Sequence, residues 1–273
     1  MDEYGLMKKA KEIKYKCASL CIHSGKGHLS SALSCAEIMT VLYYDVMRIN
    51  PKKPKWEKRD RFVMSKNHGS VITYPILCDL GFYDEEFLNT YQKDGSVLGT
   101  HSKLGAPGVD FAGGSLGIGL GAACGIACAG VADESDYLVF CLVGDCEMQE
   151  GAIWEADMFA GHRRLNNLVM IVDQNNEGCT DFISELIPLK PLGPKLTSFG
   201  WEVKEVADGH SIKDLREGFR NIRYRGSDRP LAVLVDTVKG NGVSSLEGVP
   251  WMHGQTPTGE EGRRALKELR RLL

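Results

Sequence analysis

Three runs of the chain, Tyr137–Val143, Leu168–Val172 and Leu231–Val235, are continuously apolar rather than alternating. Strands buried on both faces of a parallel sheet read this way, whereas a strand with one wet face alternates. A shorter run, Arg61–Ser65, follows a polar loop punctuated by Pro51 and Pro54. Glu150–His162 and His210–Arg223 have helical length and separate the longer runs, so right-handed βαβ crossovers are the expected connections. Glu3 to about His23 predicts a helix, and Ser31–Tyr44 a second, with the glycine-bearing turn Ser24-Gly25-Lys26-Gly27-His28 between them. Lys66-Asn67-His68-Gly69-Ser70 opens another helix, and the glycine- and alanine-rich stretch Gly113–Ala123 predicts a tightly packed helix entry. No repeat or linker interrupts this pattern. It predicts one α/β domain over residues 1–273, a doubly wound, mostly parallel sheet with an N-terminal helical extension.

Composition narrows the classes. With 273 residues, 43% of them hydrophobic, the chain can bury a large core. A net charge of −3 and a pI near 6.2 leave no electrostatic footprint for nucleic acid or anionic lipid. The N-terminus lacks the basic-then-apolar pattern of a signal peptide and no apolar stretch is long enough to span a bilayer, so a cytoplasmic protein is expected. The nine cysteines are odd in number, include no C-x-x-C pair and fall largely in apolar segments. Cys17/Cys21 and Cys124/Cys128 are spaced to share a helix face, which predicts buried, reduced thiols rather than disulfides or a structural metal site.

Ligands of open parallel sheets bind at the carboxyl ends of strands. Here Tyr137–Val143 is followed by Gly144-Asp145-Cys146-Glu147, and Leu168–Val172 by Asp173-Gln174-Asn175-Asn176. Asp145 alone reads as a helix cap and Asn175 alone as a loop turn. Together, at neighbouring strand ends, they are hard oxygen donors suited to Mg²⁺, which completes its octahedron with phosphate oxygens and water. The helix beginning near Glu150 is expected to direct amides at the same phosphate.

The order Gly144-Asp145-Cys146…Asn175 resembles the Gly-Asp-Gly…Asn motif of the thiamine-diphosphate fold, and the chain as a whole resembles transketolases. Ser24-Gly25-Lys26-Gly27-His28 is similar to that family's S-G-x-G-H segment, and Arg59–Gly69 to its R-D-R-F-x-x-S-x-G-H-G/A. Gly99-Thr100-His101, Gly113-Gly114-Ser115-Leu116-Gly117 and Trp251-Met252-His253-Gly254 follow in family order. The resemblance covers nearly the whole chain. It implies thiamine diphosphate and Mg²⁺ as cofactors and ketol transfer from a ketose to an aldose as the activity. It further implies that the chain is the diphosphate-binding subunit of a split enzyme, active only with a second subunit that carries the pyrimidine-binding and C-terminal domains and the glutamate that activates the cofactor. A two-fold assembly of heterodimers, acting on sugar phosphates or modified sugars, is then expected.

Residue by residue, the resemblance implies that Asp145, Asn175 and the backbone carbonyl of Glu177 hold the metal, and that Gly144 and Cys146 lie along the diphosphate. His68 and His253 fall to the diphosphate and donor, and His28 and His101 to donor hydroxyls. Imidazole suits such proton exchange because it titrates near neutrality. Gly114 and Leu116 would support the cofactor rings. Glu150, and Glu155 five residues on, would reach across a subunit interface, Glu150 to the catalytic, cofactor-activating glutamate of the partner domain and both into a proton path between active sites, although carboxylates at a helix start also simply answer the dipole. His23, His162 and His210 read as structural or surface residues. The chain departs from the family at Cys146, where a glycine is usual. If that backbone must take positive φ, a penalty of order 1 kcal/mol follows. Glu177 is charged where the family packs an apolar group, Leu29-Ser30 replaces Pro-Gly, and Ile118 replaces a glutamine. A 2-oxo acid donor, or a scaffolding role without catalysis, are the competing expectations.

Overall fold

The computed structural model describes residues 1–273. Five strands, β1 (Arg61–Met64), β2 (Val139–Gly144), β3 (Leu168–Gln174), β4 (Glu202–Val206) and β5 (Leu231–Asp236), form one sheet in the order β1-β2-β3-β5-β4, with every pairing parallel. The helices are α1 (Glu3–Ser24), α2 (Leu29–Ser34), α3 (Ala36–Val41), α4 (Thr73–Leu80), α5 (Glu85–Leu88), α6 (Ile118–Ala132), α7 (Gly151–His162), α8 (Leu192–Ser198), α9 (Ile212–Gly218) and α10 (Gly259–Leu272).

Strand side chains alternate between two cores. Phe140, Leu142, Val169, Ile171 and Val233 face a layer built from α1 to α4, α9 and α10. Cys141, Val143, Met170, Val172 and Leu234 face α6, α7 and α8. The chain steps in one direction from β1 through β3 to β4 and turns back only for β5. Right-handed crossovers then put α6, α7 and α8 on one face and α9, which precedes the reversal, on the other. The N-terminal helices are thus part of a packed layer. Leu6, Ala10, Ile13, Cys17 and Cys21 of α1, spaced three or four apart, are buried in it.

Several elements differ from the sequence reading. The helix expected over Ser31–Tyr44 breaks at Cys35 into α2 and α3 and ends in a π-turn, Leu42–Val46. The helix expected over His210–Arg223 is shorter, α9 followed by a 3-10 turn at Ile222–Tyr224. β4 lacks an apolar run because it is the sheet edge and only Val206 is fully buried, so Glu202, Lys204 and Glu205 fit there. All nine cysteines are unpaired.

Because all strands are parallel, their carboxyl ends share one edge. Ser65–His68, Gly144–Glu147, Asn175–Glu177 and Thr237–Lys239 emerge there side by side.

Candidate functional site

The turn after α1 brings the first histidine to this edge. Gly25 ends the helix at φ +66, and Gly27 has φ +132 with Cys21 Sγ only 2.6 Å from where a Cβ would stand, so neither position accommodates a side chain without strain. His28 follows, immediately before α2. Thr256 Oγ1 donates to the Gly27 carbonyl at 2.7 Å and ties the segment carrying His253 to the same turn.

Four histidines converge. The His28 ring lies 5.3 Å from His68, 5.8 Å from His101 and 5.1 Å from His253, and His68 lies 4.6 Å from His253, centroid to centroid. Burial lowers every one of their pKa values. His28 falls to about 4, with the His101 and Lys239 charges adding to desolvation, and His253 to about 3, with Lys239 and His28 adding. His68 is pushed well below its usual value by desolvation and then by Lys66 and His253, and His101 is lowered by desolvation. All four rings are therefore neutral at neutral pH. Nδ1 of His28 and Nδ1 of His253 are buried without a hydrogen-bond partner, nitrogens left available to a ligand.

At the β2 and β3 ends, Asp145 is buried. Its carboxylate accepts from the Cys146 amide at 2.9 Å and the Asn176 amide at 2.6 Å. Desolvation, reinforced by the neighbouring Asp173 charge, raises its pKa to about 7. Such a carboxylate is relieved by a cation. Asn175 Oδ1, on the adjacent strand end, accepts from the Glu177 amide at 3.1 Å. A carboxylate, an amide oxygen and backbone carbonyls form a hard donor set that fits Mg²⁺ beside a diphosphate.

Both departures in these turns are accommodated. Cys146 has φ −67 and ψ −32, ordinary right-handed backbone, so the strain anticipated for a non-glycine residue does not arise. The Glu177 side chain is buried with Oε2 4.0 Å from the ammonium of Lys239, itself buried and donating to the Gly178 carbonyl at 2.7 Å. A lysine thus answers the charge in place of apolar packing. Burial lowers the pKa of this lysine, with Glu177 opposing the shift.

The remaining expected residues occupy a neighbouring turn. Gly114 is exposed and Leu116 half-buried ahead of Gly117, which has φ +87 and starts α6. Glu150 is exposed immediately before α7, and its Cβ sits 2.9 Å from where a Gly117 Cβ would stand. A 3-10 turn, Glu147–Gln149, separates the β2 end from α7. The helix therefore starts against Gly117, as expected near Glu150, while the amides that reach the Asp145 carboxylate are those of Cys146 and Asn176.

Sequence reasoning missed three buried groups. Lys66 is paired with Asp173 and also donates to the Ser31 carbonyl at 2.8 Å and Ser34 Oγ at 3.0 Å, while Thr237 Oγ1 and Ser34 Oγ both donate to Asp173. Glu147 accepts from Ser65 Oγ at 2.6 Å, Gly117 N at 2.9 Å and Gly144 N at 3.1 Å, which joins three of the loops that frame the site. Lys239 is the third. A charged residue directly after a continuous apolar run is the signal that was present for Asp173. Of the histidines set aside, His210 is structural: Nδ1 meets Glu37 at 2.9 Å and Nε2 accepts from the Val238 amide at 2.9 Å.

Comparison with known proteins agrees with this geometry. Residues 8–270 match the family described as transketolase, thiamine diphosphate binding domain. An apulose-4-phosphate transketolase subunit of Phocaeicola vulgatus is 38% identical over 96% of this chain and 90% of its own length. The 6-deoxy-6-sulfo-D-fructose transketolase subunit SqwG of a Clostridium species is 37% identical over 90% of this chain and 89% of its own. The crystal structure of Campylobacter jejuni transketolase superposes with a TM-score of 0.91 at 28% identity, covering 99% of this chain and 43% of that one. The chain therefore spans less than half of that transketolase chain but about nine-tenths of the two subunit relatives. It belongs to the transketolase family, as a thiamine diphosphate-binding domain.

Proposed function

We propose that this chain is the diphosphate- and metal-binding subunit of a two-component transketolase that moves a two-carbon ketol unit from a ketose to an aldose. The observation that carries the reading is the convergence of four half-buried histidines, each with its pKa lowered, beside the Asp145–Asn175 strand ends. Asp145, Asn175 and the Glu177 carbonyl would hold Mg²⁺, and His68, His253, Lys239 and the Gly144–Cys146 turn would hold the diphosphate. Thiamine diphosphate, when bound, supplies the carbon nucleophile and electron sink. His28 and His101, neutral at working pH, each offer one nitrogen that donates and one that accepts, so they can orient the donor's hydroxyls and pass protons to and from them. Gly114 and Leu116 would support the cofactor rings, and Glu150, exposed beside Gly117, would reach a partner chain.

The four-histidine set favours a polyhydroxylated donor over a 2-oxo acid. Two relatives are named for a sugar phosphate and a sulfonated sugar, which supports a sugar carrying a distal anion. Subunit-sized relatives support a separate second chain, which would bring the pyrimidine-binding and C-terminal domains. Ile118 of α6 and Met158 and Phe159 of α7 are large apolar side chains left exposed, and a partner in a two-fold assembly would cover them. No helix is long and apolar enough to cross a membrane. A cytoplasmic location is a separate part of this proposal.

The test is to mix the purified chain with its partner and measure thiamine diphosphate binding and ketol transfer with and without Mg²⁺. Asp145→Asn should weaken Mg²⁺-dependent cofactor binding by about 100-fold or more, since a hard-cation site loses its charged ligand. Carbon dioxide release from pyruvate in place of ketol transfer would favour the 2-oxo acid reading. Failure of the assembled wild-type pair to bind cofactor at all would leave a scaffolding role.

A further inference from the structure

We infer that Asn67 is a positioning residue of this site, whose carboxamide locks the His101 loop in register with His68. The inference rests on the ketol-transfer reading for its kinetic consequence but not for its structural one.

Asn67 precedes His68 and is fully buried. Its Oδ1 accepts from the Ser102 amide at 2.8 Å, and its Nδ2 donates to Ser102 Oγ at 2.7 Å and to the Met64 carbonyl at 3.2 Å. The orientation of the amide is forced, because only oxygen can accept from Ser102 N–H and only nitrogen can donate to the Met64 carbonyl. Both N–H groups are thereby used, which leaves the side chain no donor for a ligand. Its work is between loops. Ser102 closes the loop that carries His101 through the bridge Leu98–Ser102, and Ser102 Oγ passes the connection on to the Phe111 carbonyl at 3.0 Å. On its other side the carboxamide abuts Gly113, where an added Cβ would lie 2.8 Å from Nδ2. One amide thus touches the segments bearing His68, His101 and Gly114. These are separate in sequence, and the loop carrying His101 has no regular element of its own to hold it.

A carboxamide also explains why isosteric charge would not serve. In Asn67→Asp, one carboxylate oxygen could still accept from Ser102 N–H, but the other would face the Met64 carbonyl with no proton to offer. A residue that only filled space would tolerate that change better than one acting through directed donors.

The assembled two-subunit enzyme provides the test. Asn67→Ala should lower kcat/KM for a ketose donor by about 10-fold or more, as expected for a displaced catalytic loop. Cofactor affinity should stay within about threefold, because Asn67 touches no metal or diphosphate group. In a cycle with His101→Ala, the double variant should be no worse than His101→Ala alone, since Asn67 acts through His101. Multiplying effects, or loss of cofactor binding, would overturn the inference. Amide hydrogen exchange supplies a readout independent of activity: Asn67→Ala and Asn67→Asp should be compared at Ser102. The alanine variant removes the acceptor and should speed exchange by about 10-fold or more, with the aspartate variant closer to wild type at this amide. Unchanged exchange in Asn67→Ala would also overturn it. If the wild-type pair shows no ketol transfer, the proposed function fails, and the exchange measurement still decides whether Asn67 holds the loop.

Discussion

Asp157 on α7 and the histidines at the carboxyl edge of the sheet pull stability in opposite directions with pH. Asp157, on α7, is fully buried among apolar groups, neither carboxylate oxygen has a partner, and desolvation raises its pKa from 3.8 to about 8. The unfolded chain releases this proton near pH 4 and the folded chain holds it, so its favourable contribution is full below pH 4 and is lost as pH rises through 8. Asp157→Asn should therefore match wild type near pH 4 and gain about 2–4 kcal/mol by pH 8, read from urea midpoints. The histidine cluster has the reverse sign. His28 and His253 fall to about 4 and 3, so unfolded imidazoles bind protons that the folded ones refuse. Their contribution is full above about pH 6.5 and is lost as pH falls toward 4. His253→Gln should flatten the acid side of the stability profile, measured by the same midpoints at pH 7 and 4.5. A parallel fall in both proteins would show that the imidazole does not titrate as its burial demands.

Between elements, glycine sets how closely α6 approaches β1. A Cβ on Gly119 would come within 2.6 Å of Ser65 Cα, and Ser65 in turn donates to Glu147, the carboxylate that joins the Gly117 and Gly144 turns. Gly119→Ala should destabilise by about 1–3 kcal/mol in urea unfolding, as overpacking of a tight contact does. It should also weaken cofactor binding, because the displaced Ser65 leaves Glu147 under-bonded. The glycine- and alanine-rich stretch was legible as a close helix entry because Gly and Ala are small wherever they sit. Which strand the helix would approach was not, since that depends on β1 and β2 pairing first. β4 was missed for a related reason. Its charged residues are acceptable only because it lies at the edge, and an edge position is a property of the sheet rather than of the segment.

For the whole molecule, α6 carries no charged residue, and the outward sides of α6 and α7 leave Ile118, Met158 and Phe159 exposed. In the assembly we propose, these side chains are covered. Met158→Glu should leave circular dichroism unchanged while raising the dissociation constant of the assembly by about 10-fold or more, followed by sedimentation of the mixed subunits. Unchanged sedimentation would place the contact elsewhere. Much of the site was readable before folding: Asp145, Asn175 and the four histidines sit in glycine- or strand-end contexts whose chemistry is local. Their supports were not. Lys66 and Asp173 are 107 positions apart, Asn67 and Ser102 35 apart, and Lys239 answers Glu177 from the neighbouring strand end.

The sequence by itself determined the parallel core and the residues that would stand at its carboxyl edge, because continuous apolar runs must bury both faces and the polar residues that end them must emerge together. Only the tertiary structure decided that Cys146 is unstrained, that Glu177 has a lysine to face and that Asn67 locks the His101 loop. Each of these depends on a partner brought near by strand order and crossover hand, and such a partner leaves no mark on the segment it will meet.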